Sequence, residues 1–355
     1  MILTYKFRLK DKHSKELDHQ ARQVNFVWNY CNDLQQKTVR AHRKWLSGYD
    51  LQKMTAGSSK DLNLHGHTIQ RICMQYDQSR KTHKKAWLKF RSSKSLGWVP
   101  FATDHVKFKN EAFIFRKIIY EPMHFRDIPE GLVIKAGSFN QDSKGHWYIN
   151  ATLDFPDDHF PKAQENSIGI DLGLKDLATL SSGIKIENPR FYRTQEQRLK
   201  KSQRAKKKKQ TRNIHQKIRN QRKDFLHKAS SKLTLENNLI VVGDVSSSKL
   251  TRTRMAKSVF DVSWYSFKNM IRYKAIRHGG IMIEVNESYT TQICSDCSSI
   301  SGPKGIADLG IREWTCKDCN SIHDRDINSA RNILRIGLDT LVEGTFSSLG
   351  EEQSL

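Results

Sequence analysis

No apolar run in these 355 residues approaches the roughly 20 needed to cross a bilayer. The opening Met1-Ile-Leu-Thr-Tyr-Lys-Phe-Arg-Leu-Lys10 lacks the continuous apolar core and small-residue cleavage site of a signal peptide, so a cytoplasmic, nucleoid-associated protein with no membrane partner is expected. Acids are scarce. Only 37 Asp and Glu face 61 Lys and Arg, and the net charge of +24 excludes an ordinary metabolic enzyme and points to a polyanionic partner, nucleic acid before a membrane surface. Cysteines are few as well: six, four of them late in the chain, which suits a metal site in a reducing compartment better than a disulfide scaffold. What is plentiful is core material, 37% hydrophobic residues, enough for two or three domains.

The chain is organised around Ser167-Ile-Gly-Ile-Asp-Leu-Gly-Leu174, an apolar strand with one carboxylate at its centre. Burying a carboxylate costs several kcal/mol unless a cation meets it, so Asp171 reads as a metal ligand rather than a core residue. Lys175 to Leu180, the Ser181-Ser-Gly183 turn and Ile184 to Glu187 read as two further strands of a hairpin. Three strands, the first with a central Asp, are how a ribonuclease-H-like domain begins.

Upstream, Leu3 to Leu9 alternates as a half-buried strand. Apolar positions spaced by threes and fours then predict helices from Ser14 to about Leu46 and from Leu51 to about Phe90, the latter running through Ile69, Ile72, Tyr76, Trp87 and Leu88. Short strands return from Gly97 to Leu153, and with the first strand they suggest a small barrel split by a helical insertion. Phe155 to Asn166 is read as a linker.

Between Arg193 and Lys228 fifteen Lys or Arg face two acids, with no Gly or Pro to interrupt a helix. Lys200, Lys201, Arg204, Lys206, Lys207, Lys208, Lys209 and Arg212 are its expected phosphate contacts. Asn238 to Val245 is a buried parallel-type strand that ends in Gly243-Asp244, and Ile281 to Glu287 is a fifth strand carrying Glu284 and Glu287. Cys294-Ser-Asp-Cys297 and Cys316-Lys-Asp-Cys319, eighteen residues apart, have the spacing of one structural four-thiolate zinc ribbon. Cys31 and Cys73 fall in helical patterns and read as buried small apolar residues.

Ile170-Asp-Leu-Gly173, the two knuckles preceded by Tyr289-Thr-Thr-Gln292, and Asp324-Arg-Asp-Ile-Asn-Ser-Ala-Arg-Asn-Ile-Leu334 together resemble the RuvC and zinc-ribbon half of TnpB, the RNA-guided nuclease family of bacterial insertion sequences, related to type V CRISPR effectors. The resemblance implies an α+β multidomain fold. A wedge β-barrel (1–12 and 98–160) would hold a helical recognition insertion (13–97), followed by a RuvC-like α/β nuclease domain (166–290 and 322–338, with the basic helical region at 193–235), an inserted zinc ribbon (291–321) and a disordered tail (339–355). It also implies partners: a guide RNA from the transposon end (omega RNA) and double-stranded target DNA, cut beside a short adjacent motif. Whether the protein is a monomer or a homodimer is left open. By position Asp171 matches the family's first catalytic acid and Asp326 its last, with Asp324 serving a helix N-terminus. Two magnesium ions held by these acids would activate water and stabilise the leaving oxygen.

Gly243 departs from the pattern, because most relatives carry a catalytic Glu there. Either Glu287 on the neighbouring strand, about 4.8 Å away, supplies the missing carboxylate to the magnesium site, or the nuclease is dead and the protein is an RNA-guided DNA-binding repressor. A transposase accessory role is a third reading.

Overall fold

The computed structural model describes residues 2–102, 105–124, 128, 132–156, 160–245, 256–304 and 307–352. They divide into two units, Met1–Asp157 and Asp158–Leu355. The expected linker straddles the division, with 157–159 outside the described residues.

In the first unit β1 (Ile2–Arg8) is followed by α1 (Ser14–His42), α2 (Gly48–Met54) and α3 (Gly66–Thr82). Then come β2 (Trp98–Ala102), β3 (Val106–Lys109), β4 (Ala112–Phe115), β5 (Ile118–Tyr120), β6 (Ile134–Gln141) and β7 (Trp147–Asp154). The second predicted helix ends early. Beyond Thr82 the chain, including Trp87 and Leu88, lies along α1 because Asn32 and Asn29 accept from the Leu88 and Arg91 amides at 2.9 and 2.7 Å. These bonds hold the segment extended where periodicity alone suggested helix. Cys31 and Cys73 are fully buried, as expected.

The predicted barrel is not closed. The strands form an antiparallel four-stranded sheet, β1-β7-β6-β2, and a separate three-stranded sheet, β3-β4-β5, joined at one corner by a bridge between Leu9 and Pro122. Strands of three or four residues are too short to carry a continuous ladder round. Aromatic rings between the sheets close the gap instead, with Phe7 to Phe113 at 5.3 Å and Tyr120 to Phe139 at 4.9 Å between centroids.

The second unit is built on β8 (Ser167–Leu172), β9 (Asp176–Leu180), β10 (Lys185–Glu187), α4 (Phe191–Arg204), α5 (Lys208–Glu236) and β11 (Leu239–Gly243). After these come α6 (Ala256–Val262), α7 (Trp264–Arg277), β12 (Ile281–Val285), β13 (Glu313–Thr315), β14 (Ile322–Asp324) and α8 (Arg325–Glu352). The five-stranded sheet has the order β10-β9-β8-β11-β12, with β11 parallel to both its neighbours and β8, β9 and β10 antiparallel in turn.

Strand alternation sorts the faces. Ile168, Ile170 and Leu172 point into a core with Leu226 and Leu233 of α5 and Phe267 and Ile271 of α7, while Val241 and Val285 meet Ile333 of α8 on the other face. Helix α8 does not stop where the polar composition from 339 suggested a disordered tail. Leu341 packs on that same face, and the helix continues to Glu352.

Candidate active site

Asp171 lies on the α8 face of β8, one alternation beyond Gly169. A β-carbon at Gly169 would sit 2.1 Å from the Ala330 carbonyl oxygen and 2.8 Å from Leu334 Cβ. Glycine thus lets α8 lie directly on the strand, which brings the helix N-terminus to Asp171. The carboxyl is half-buried, and burial, followed by the charges of Glu287 and Asp326, pushes it up to about 7 despite the opposing effects of Ser329 and Arg325. Glu287 and Asp326 are thus near enough to act on the Asp171 charge, although among the described residues the three do not form a group of ligand atoms all within 4.8 Å of one another.

Glu287 arrives from the far side of β11. Gly243 pairs with Val285 at the end of the β11–β12 ladder, and Glu287 lies two residues further on. Its side chain turns back over the glycine, so that a β-carbon at Gly243 would meet Glu287 Oε2 at 2.7 Å and Glu287 Cβ at 3.3 Å. Burial, with Asp244 beside it, raises the Glu287 carboxyl above its usual range. Glu284, the other acid of β12, is exposed and paired with Lys268 at 2.5 Å and with Arg272. It is not in the cluster.

Asp326 stands in the first turn of α8 with Arg312 3.3 Å away. Asp324 does other work: its Oδ1 accepts from the amides of Asp326 and Ile327, each at 3.0 Å, and Lys185 pairs with its second oxygen at 2.6 Å. Burial would raise the Asp324 carboxyl, but Lys185 and the helix amides outweigh it and hold it below its ordinary value. The acids at 171, 287 and 326 offer only carboxylate oxygens, the donor set of a hard divalent cation such as magnesium.

Among the described residues, the ligand atoms of Cys294, Cys297, Cys316 and Cys319 all lie within 4.8 Å of one another. Two of their Sγ–Sγ distances are 3.6 Å, close to the roughly 3.8 Å edge of a tetrahedron built on zinc–sulfur bonds. The hydroxyls of Ser299 and Ser301, each 3.2 Å from Cys316 Sγ, favour its thiolate and bring it down to about 5. Nε2 of the buried His323 lies 3.0 Å from Cys294 Sγ, in position to donate to a second thiolate. The cluster fits one zinc ion.

The basic stretch is two helices rather than one. Lys206 adopts a left-handed φ of 51°, and the chain folds back so that Leu199 of α4 packs on Ile214 and Ile218 of α5. Ser202 Oγ and Thr211 Oγ1, 2.8 Å apart, tie the two helices together. Burying three apolar side chains outweighs the strain of one non-glycine left-handed residue. Lys200, Lys201, Arg204, Lys206, Lys207, Lys208, Lys209 and Arg212 are all exposed around the tip of this hairpin.

Residues 264–333 match the Cas12f1-like TNB domain family, and residues 152–254 match the OrfB family of IS605 type, described as "Probable transposase". Across these two stretches the chain is similar to the OrfB and Cas12f1-like families.

It is 34% identical over 227 residues to a protein of Streptomyces pristinaespiralis named as a candidate RNA-guided DNA endonuclease, covering 60% of this chain and 55% of that one. Escherichia coli InsQ, named likewise, is 26% identical over 61% of this chain and 60% of its own. The CRISPR-associated endodeoxyribonuclease Cas12f1 of Sulfoacidibacillus thermotolerans is 27% identical over 57% and 53%. The chain thus spans little more than half the length of these relatives. A solved complex of Cas12f1 with its single-guide RNA and target DNA aligns with 94% of this chain at 14% identity and a TM-score of 0.37, too loose a likeness to argue from.

In this chain the motif residues that had no assigned task turn out to be a clamp. The side-chain amides of Asn328 and Asn332 each donate to the carbonyls of both Thr290 and Ile293, at 2.7 to 3.1 Å, and Asn328 Oδ1 accepts from Ser295 N at 2.8 Å. Both asparagines are buried. Two Asn four apart on the buried face of an amphipathic helix were the available signal.

Proposed function

We propose that this protein is an RNA-guided DNA endonuclease of an insertion sequence, cutting target DNA beside a short adjacent motif. Asp171, Glu287 and Asp326 are its catalytic carboxylates. The observation that carries the reading is the Glu287 side chain lying over Gly243, which returns a carboxylate to the place where that strand lacks one. Magnesium bound there would supply the Lewis acidity that activates water and stabilises the leaving oxygen. Without that counter-charge, burial first and then the charges of Glu287 and Asp326 hold the proton on Asp171 to about 7.

The partners follow from charge. A net charge of +24 and an exposed cluster of eight Lys and Arg at the hairpin tip suit the backbones of a transposon-end guide RNA and the target DNA, while base pairing supplies sequence specificity. The ribbon holds one structural zinc. No helix among the described residues is long and apolar enough to cross a membrane, and a cytoplasmic, nucleoid-associated protein is proposed.

The test is cleavage of a plasmid library with randomised target flanks by the protein with its RNA, in magnesium or EDTA, beside Glu287→Ala. Magnesium-dependent cutting that Glu287→Ala abolishes supports the nuclease. Tight guide-dependent binding without cutting by either protein would overturn it in favour of an RNA-guided repressor.

A further inference from the structure

We infer that Ser329 and Thr290 are positioning residues that hold Glu287 to α8, the helix that carries Asp326, replacing with a pair of hydroxyls the backbone support that a glutamate at position 243 would draw from the sheet. The inference rests on the proposed reading of Asp171, Glu287 and Asp326 as the metal-holding acids.

A residue inside a ladder has its backbone fixed on both sides by interstrand bonds. Gly243 is such a residue, paired with Val285, but Glu287 lies past the end of β12. Its own amide makes only a long contact, 3.4 Å to Asp244 Oδ1. Something else must set its direction.

That support is Thr290. Its hydroxyl lies 2.8 Å from the Glu287 carbonyl and its amide donates to the same oxygen at 3.3 Å. Thr290 Oγ1 is also 2.9 Å from Ser329 Oγ on α8. Both side chains are buried, at 2% and 1% exposure, so water does not compete for these bonds. Ser329 stands three residues beyond Asp326 on α8, about one helical turn. The Thr290 hydroxyl donates to the Glu287 carbonyl, which the Thr290 amide also holds, so the Ser329 hydroxyl supplies the proton of the Ser329–Thr290 bond. One continuous path therefore runs from α8 to Glu287, past the end of β12, without using β11.

The test uses the full-length protein with Ser329→Ala, Thr290→Val and the conservative Thr290→Ser, and Mn²⁺ as the probe. Mn²⁺ affinity is measured by EPR without turnover, followed by kcat and the KM for target DNA of the protein co-purified with its RNA. Ser329→Ala and Thr290→Val are expected to weaken Mn²⁺ binding about tenfold and lower kcat about 10- to 100-fold, the range for residues that orient metal ligands. DNA KM and zinc content stay unchanged, and Thr290→Ser recovers most of both losses. A wild-type protein that cuts while all three variants match it within twofold overturns the positioning role and leaves the nuclease standing. A parallel loss of zinc or of DNA binding, or no recovery in Thr290→Ser, also overturns it, by making the role structural. A wild type that neither binds Mn²⁺ nor cuts removes the nuclease reading and this inference with it.

Discussion

Gly243 and Glu287 share one position in space: a β-carbon on the glycine would stand 2.7 Å from the glutamate's Oε2. The strand that lacks the acid is the one over which a neighbouring acid folds, and the missing side chain is what makes room. An exchange is therefore expected to work in part. Glu287→Gln should lower cutting by at least about 100-fold with guide and target binding intact, as loss of a metal-holding carboxylate does. Gly243→Glu combined with Glu287→Ala should regain activity over Glu287→Ala alone, in plasmid cleavage assays. No gain in the double variant would argue that position 243 no longer faces the site.

Asp171 gives the metal-free protein a pH signature. Its carboxyl titrates at about 7 in the fold against an ordinary 3.8, so between those values the folded chain binds more protons than the unfolded one. The stabilising effect of the bound proton is complete below about pH 4 and is lost as pH rises through 7. The raised Glu287 carboxyl acts in the same direction. Asp171→Asn should accordingly stabilise the protein in EDTA at pH 8, by up to about 4 kcal/mol at 1.4 kcal/mol per pKa unit, and barely at pH 4. Denaturant melts at the two pH values measure it, and equal effects at both would contradict the assigned burial and charge crowding of Asp171.

Gly169 sets how closely α8 approaches. Gly169→Ala places a methyl group 2.1 Å from a backbone oxygen of α8, where no side-chain rotation gives relief. The helix must move, at about 3 kcal/mol or more, carrying Asp326 away from Asp171. Thermal melts together with cleavage assays should show both losses, whereas a variant as stable as the parent would mean that α8 does not lie on β8 as described.

The ribbon should carry one zinc per chain in metal analysis. Cys316→Ala should drop that figure well below one, since three thiolates bind far more weakly than four. A wild-type value far below one would exclude a zinc ribbon.

Replacing Lys206, Lys207, Lys208 and Lys209 by Gln touches only exposed side chains, so the melting temperature should hold. Nucleic-acid affinity should fall, and its log–log salt slope should shrink by about 3, near 0.7 to 0.9 for each phosphate that is no longer neutralised. An unchanged slope in filter binding across a salt series would remove the hairpin tip from the interface.

Local patterns in the sequence suffice for much of this molecule. Alternation and apolar runs mark β8 to β12, because the faces of a buried strand must satisfy two cores. Two CxxC pairs mark the metal cluster, because each knuckle's geometry is local. The asymmetry of charge points to a polyanion, since 61 cationic side chains cannot be neutralised by 37 anionic ones.

What depends on the meeting of distant segments lay beyond those patterns. Residue spacing does not reveal that three- and four-residue strands leave a barrel unclosed, or that burying Leu199 on Ile214 and Ile218 bends a Gly-free basic run at Lys206. Nor does it reveal that Ser329, 39 positions from Thr290, meets it at 2.9 Å. Above all, sequence left two readings open for Glu287. The fold sets its side chain over Gly243, where parallel pairing of β11 with β12 ends at the one residue type with no side chain to stand in the way.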